Sequence, residues 1–190
     1  MTRRPVSKTT SPINPVVIGA VLLGVVLLGV LLFLNVRGPA PIEGVVEFST
    51  RERGHDSDFV YLFEDYELPP PGGLHNPTWQ NCGIYDDPVA PEHVIHSLEH
   101  GAVWVAYQPD LPSDQVEALE DAVRDESLAL LSPYPNLKSP VVLTAWQVQL
   151  ELDSGNDRRV ERFLNRYQNS EFTPERGATC FSGTSELADQ

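Results

Sequence analysis

Residues 16–34 form an unbroken run of nineteen uncharged side chains, nearly all Val, Leu, Ile and Gly. As a helix such a run is about 28 Å long, enough to cross the hydrocarbon core of a membrane. Arg3, Arg4 and Lys8 precede it and no acidic residue does. The positive-inside bias then predicts a cytoplasmic N-terminus and an exported C-terminal part. The run exceeds the apolar region of a typical signal peptide, no small-x-small cleavage pattern follows it closely, and no cysteine for lipid attachment lies nearby. It reads as an uncleaved signal anchor. The chain thus divides into a cytoplasmic tail (1–15), a transmembrane helix (16–36), a linker (37–44) and an exported domain (45–190) on the periplasmic or extracellular side of the cell envelope.

Charge narrows the partners of that domain. Beyond residue 35 the chain holds ten Lys and Arg against 27 Asp and Glu, a formal charge of −17. A surface of that sign repels nucleic acid and anionic lipid and draws cations weakly. Two cysteines, Cys82 and Cys180, read most simply as one disulfide in an oxidising compartment. A cysteine metal ligand is the alternative, although neither residue sits in a CxxC pair.

The pattern along the domain is mixed. Residues 44–50, 58–63, 102–107 and 140–152 carry the β-branched and aromatic content of strands, the last as one long strand. Pro91 and Gly101 bracket a short helix in the manner of an N-terminal proline and a C-terminal glycine. Ser113 reads as the cap of a helix whose apolar face is Val116, Leu119, Ala122 and Val123. Residues 157–168 read as another, with Val160, Phe163, Leu164 and Tyr167 inward. The expected fold class is α+β, a small sheet with packed helices, preceded by one N-terminal transmembrane helix.

Chemistry concentrates in the segment Pro91-Glu92-His93-Val94-Ile95-His96-Ser97-Leu98-Glu99-His100-Gly101, which holds three of the five histidines. On a helix His93, His96 and His100 fall within an arc of roughly 60°. His75 follows the stiff turn Pro69-Pro70-Pro71-Gly72-Gly73. His75, His96 and His100 suit a transition metal, with His93 as a fourth ligand or a rim residue and Glu99 as a proton relay or orienting group. Copper is the favoured metal and zinc the alternative. The only methionine is Met1, which excludes a methionine-rich Cu(I) carrier, and the lack of a thiolate ligand argues against blue-copper electron transfer. Superoxide dismutation, copper storage and copper delivery fit a histidine site, although an acidic domain disfavours fast capture of the superoxide anion. Trp79, Tyr85 and Trp104 are candidate shields of the site. The string His96-x-x-Glu99-His100 also matches the HxxEH pattern of zinc peptidases, with Glu99 as base and Glu175 as a possible third ligand. A non-enzymatic subunit of a larger envelope assembly is the remaining class.

These residues resemble a family. The turn ending Gly72-Gly73-Leu74-His75, the block His96-Ser97-Leu98-Glu99-His100-Gly101 followed by Val103 and Tyr107, and the pieces Gly83-Ile84-Tyr85, Leu143-Thr144-Ala145-Trp146, Pro174-Glu175 and Cys180 are similar to the bacterial family catalogued as domain of unknown function 3105. The resemblance covers roughly residues 45–181, and Gly72 stands where the family often has Ser. It implies a membrane-anchored exported domain, with His75, His96, Glu99 and His100 in the signature and His55 and His93 outside it. It also implies copper binding with a superoxide dismutase-like role.

Overall fold

The computed structural model describes residues 14–36, 40–49 and 53–188. The chain separates into two compact units, Met1–Pro41 and Ile42–Gln190. Most of the expected tail, part of the linker (37–39) and Thr50 lie outside the described residues.

In the first unit, helix α1 spans Pro15–Val36. Asn14 caps it, its Oδ1 accepting from the Val16 amide at 2.9 Å, and Pro15 occupies the first turn, where no amide donor is needed. Its stretch Pro15–Phe33 is apolar and long enough to cross a membrane, and none of that stretch is buried by protein. Such a helix serves either as a membrane anchor or as a signal sequence.

The second unit is α+β. Its main sheet runs β1 (Val46–Glu47), β8 (Val148–Leu152), β7 (Val141–Ala145), β5 (Val103–Tyr107), β6 (Ala129–Pro133) and β4 (Gly83–Ile84) in spatial order. The β1, β8, β7 and β5 neighbours pair antiparallel, whereas β5 with β6 and β6 with β4 pair parallel. Helix α3 (Ser113–Val123) makes the crossover from β5 to β6. Every residue of β5, β6 and β7 is buried. This explains why β5 and β7 read as continuous apolar runs rather than alternating ones.

The alternation is present in space. Val103, Val105 and Tyr107 of β5 face a core with Leu119 and Val123 of α3 and Val160, Phe163, Leu164 and Tyr167 of helix α4 (Arg159–Tyr167). Trp104 and Ala106 face a second core with Val94, Ile95 and Leu98 of helix α2 (Pro91–Glu99). Each such aliphatic side chain contributes about 1.5–3 kcal/mol when fully buried. The Trp104 indole keeps its hydrogen bond inside the core, donating to Ser132 Oγ at 2.9 Å.

The structure corrects several local expectations. The segment read as one long strand is a hairpin, β7 and β8, reversing at Trp146-Gln147 with Gln147 at φ 61°. Residues 58–63 are not a strand: Tyr61 and Phe63 pack against the core that contains α2, Val60 and Leu62 are exposed, and the Tyr61 amide donates to the Glu92 carboxylate at 3.2 Å. Ser113 is the first residue of α3, not its cap; Pro112 holds the cap position and no side chain bonds there. Strand β6 escaped the sequence reading. A further pair, β2 (Gly54–His55) and β3 (Leu74–His75), is parallel and sets His55 directly opposite His75.

The Pro-rich turn is fastened to the β7–β8 hairpin. Gln149 Nε2 donates to the Pro69 carbonyl at 2.8 Å and the Gln147 amide to that of Pro71 at 2.7 Å. Gly72 (φ 142°) and Gly73 (φ 123°) then turn the chain through conformations that side chains disfavour and deliver His75 beneath α2. At the far end of α2, Gly101 takes φ 103° with its Cα side against Asn169, where an added Cβ would come within 2.9 Å of backbone.

Candidate metal centre

The site is assembled on α2 from three other stretches of chain. The 76–80 segment is bonded along the helix: Asn76 amide to the Glu92 carbonyl, Gln80 amide to the His93 carbonyl, and Ser97 Oγ to the Gln80 carbonyl. The C-terminal tail closes the helix end, with the Glu175 amide donating to the Glu99 carbonyl at 3.0 Å. A Cys82–Cys180 disulfide ties that tail to the chain just after Gln80.

Two groups of candidate ligand atoms result. His55, His75, His96 and Glu99 each offer one donor atom, and these atoms lie within 4.8 Å of one another. His96, His100 and Glu175 form a second group by the same measure. His96 belongs to both.

The histidines are held by a common device. Nδ1 of His75 donates to the Gly73 carbonyl (2.8 Å), that of His96 to Asn76 (2.8 Å) and that of His100 to Thr179 (2.6 Å). A carbonyl only accepts, so each Nδ1 carries the proton and each Nε2 faces the cluster. This is how metal-binding imidazoles are oriented by a second ring of partners. His75 Nε2 lies 2.9 Å from Glu99 Oε2, so the pair shares a proton of the kind that a metal ion would replace. His55 Nε2 stands 3.6 Å from the same oxygen, and His100 Nε2 stands 3.4 Å from Glu175 Oε2. The ring centres of His55, His75 and His96 are 4.6–5.0 Å apart.

Burial sets the electrostatics. His75 is fully buried, and the side chain of Glu99 is 6% exposed. Rim positions are open, with side-chain exposure of 45% at His55 and 50% at Glu175. Burial pushes the His96 imidazole down to about 4, and the rings of His100, His75 and His55 add to the fall against the opposing bond to Asn76. Burial alone would raise the Glu99 carboxyl. The hydrogen bond from His75 and the charges of His75, His55 and His96 outweigh it and hold the group below its usual value.

Both shifts favour a neutral ring beside an ionised carboxylate, the ligand forms a metal needs. They also make stability depend on pH. The unfolded chain protonates His96 near 6.5, while the folded chain resists until about 4. The stabilisation is therefore complete above about pH 6.5 and lost as pH falls through 4. Denaturant unfolding of chelator-treated protein at pH 7, 5.5 and 4.5 is expected to show a steady decline, shallower in His96→Gln. A flat profile would contradict this burial of a neutral ring.

Of the expected ligands, the structure thus gathers His75 and His96 in one group and His96 and His100 in the other, with Glu99 inside the first. His93 falls outside both: its ring turns to the rim, with Nδ1 on the Thr78 carbonyl at 2.6 Å. A shared helical face did not suffice, because His93 lies three residues closer to the helix start than His96 and seven closer than His100. His55, absent from the ligand set expected from sequence, belongs to the first group. Its 20-residue separation from His75 carries no chelating signature, and only the β2–β3 pairing brings them together.

Of the expected shields only Trp79 stands beside the site, and Trp146 joins it. Trp79 stacks near His100 (4.9 Å) and His96 (5.7 Å), and Trp146 stands edge-on to His75 at 6.0 Å. Trp104 is in the core, and the Tyr85 hydroxyl is bonded to the Asn81 carbonyl. The buried Trp79 Nε1 has no partner.

No curated protein and no solved structure matches the chain. A family model described as Protein of unknown function (DUF3105) matches residues 63–182. That span includes His75, His96, Glu99, His100, Glu175 and both cysteines, and leaves His55 outside. With more than half its length matched, the chain belongs to the DUF3105 family.

Proposed function

We propose that the domain is an envelope metal protein that holds one transition-metal ion, copper by preference, on His55, His75, His96 and Glu99. The observation that carries the reading is the convergence of these four donor atoms within 4.8 Å. The pinned Nδ1 atoms of His75 and His96 strengthen it, since they commit each Nε2 to the cluster. Three imidazoles and a carboxylate, with both thiols consumed in a disulfide, suit Cu(II) or zinc better than soft-ligand sites. The basic residues before α1 support an outward-facing domain.

When bound, copper would supply one-electron chemistry, and superoxide is the proposed small substrate. The chain's own part is to fix the ligands. Gly73 and Asn76 set the tautomers, Glu99 orients His75, Trp146 covers the buried side, and the exposed edge at His55 admits a small molecule. The charge of −17 slows an anion's approach, so turnover well below the diffusion limit is expected.

Hydrolysis on zinc is the second reading, favoured by the one observation that His96, His100 and Glu175 converge as the HxxEH pattern requires. Against it, Glu99 is engaged by His75 and is not free to act as a base.

The test is elemental analysis of the full chain, purified without a His tag in detergent from native membranes. About one copper per chain, with superoxide dismutation lost in His75→Ala, is the expected result. Stoichiometric zinc with peptidase activity lost in Glu99→Gln would transfer the function to the second reading. Absence of metal after reconstitution would overturn both.

A further inference from the structure

We propose that His96, His100 and Glu175 form an outer position through which the metal ion is loaded, passing inward by exchange of ligands about His96. The proposal rests on the resident site described above and adds a route to it. His96 offers a single free donor, because its Nδ1 is committed to the Asn76 carbonyl. The two groups that share it are therefore alternative positions for one ion, not a pair of filled sites. An ion held by His96 needs only to release His100 and Glu175 as it gains His55, His75 and Glu99. One bond is kept throughout.

The outer residues are built for this and have little other use. His100 is oriented by the Thr179 carbonyl in the way that His75 and His96 are oriented, yet it lies outside the resident group. Its structural bond is made by Nδ1, which leaves Nε2 facing Glu175 at 3.4 Å. With a half-exposed carboxylate, that contact contributes little to stability. Glu175 sets a negative group at the surface of an already anionic domain, where it attracts a cation. His100 stands just behind it, 5% exposed, and the buried His75–Glu99 pair lies beyond. Carboxylate, imidazole and buried pair thus form a graded path inward. His55 opens the resident site on its own edge, so the experiment must tell the two approaches apart.

The full chain in detergent, stripped with chelator, is mixed rapidly with Cu(II) while tryptophan fluorescence is followed. Trp79, 4.9 Å from the His100 ring, and Trp146, 6.0 Å from His75, are the quenched reporters. The double variant His100→Ala/Glu175→Gln is expected to load about tenfold more slowly, with unchanged stoichiometry and an unchanged copper spectrum at equilibrium. Glu175→Gln alone, which leaves the helix end intact, is expected to slow loading in the same direction. His55→Ala is expected to load at the wild-type rate and to alter the equilibrium spectrum. Loading of the double variant at the wild-type rate would overturn the outer position while leaving the resident site standing. A changed spectrum in that variant would also overturn it, by placing His100 or Glu175 in the resident set. Failure of the wild-type chain to take up copper would overturn the resident site and the route together.

Discussion

His96→Ala is expected to weaken metal binding at least 100-fold, the largest loss of any single substitution in the domain. Such a loss corresponds to about 2.7 kcal/mol. The reason is topological within the cluster. His96 is the one donor common to both groups, so its removal leaves His55, His75 and Glu99 on one side and only His100 and Glu175 on the other. Removing His100 spares the resident group and should cost far less affinity. His93→Ala should leave affinity unchanged, because its ring lies outside both groups. Competition against a chelator of known affinity measures all three. His96→Gln, which fills more of the space and can still donate toward the Asn76 carbonyl, guards against a result caused by misfolding. Retention of one copper at wild-type affinity in both His96 variants would refute the cluster as the binding site.

Opening the Cys82–Cys180 disulfide should lower stability by about 4–5 kcal/mol, since the bond closes a loop with a sequence separation of 98. For a chain of this size that is a fall in Tm on the order of 10 °C. The effect is more than loss of a chain constraint. The Cys82 amide donates to the Cys180 carbonyl at 2.8 Å, and the neighbouring Thr179 carbonyl orients His100. A freed tail would release that imidazole and withdraw Glu175. Calorimetry of the full chain with and without a dithiol, and of Cys180→Ser, provides the measurement. A Tm that moves by less than about 2 °C would mean that the tail is held by its other contacts alone.

The parts of the fold that were legible are those where local chemistry and tertiary structure agree. Pro91 and Gly101 bracket α2 because a missing amide and a positive φ are local demands. Val160, Phe163, Leu164 and Tyr167 face inward because one apolar stripe suffices to bury α4. The hairpin was missed for a different reason: apolar residues continue across Trp146, and the reversal depends on Gln147 adopting φ 61°, which its composition does not announce. Within the site, the spacing of His96, Glu99 and His100 is a local property and was readable. His55 was not, because a two-residue parallel pairing with β3 leaves no periodic trace. Trp146 was overlooked as a wall for a related reason, since only the hairpin brings it to His75.

His75 and His96 are oriented by the Gly73 and Asn76 carbonyls of one stretch and His100 by the Thr179 carbonyl of another, and helix α2 meets both only in the finished fold. An unfolded polypeptide has the same side chains but no assembled chelate. A metal ion at the resident site therefore binds the native state in preference to the denatured one, and its free concentration shifts the folding equilibrium directly. Under the proposed function the domain would act as a gauge: scarcity of its metal would lower the folded fraction of the chain, with no dedicated sensor.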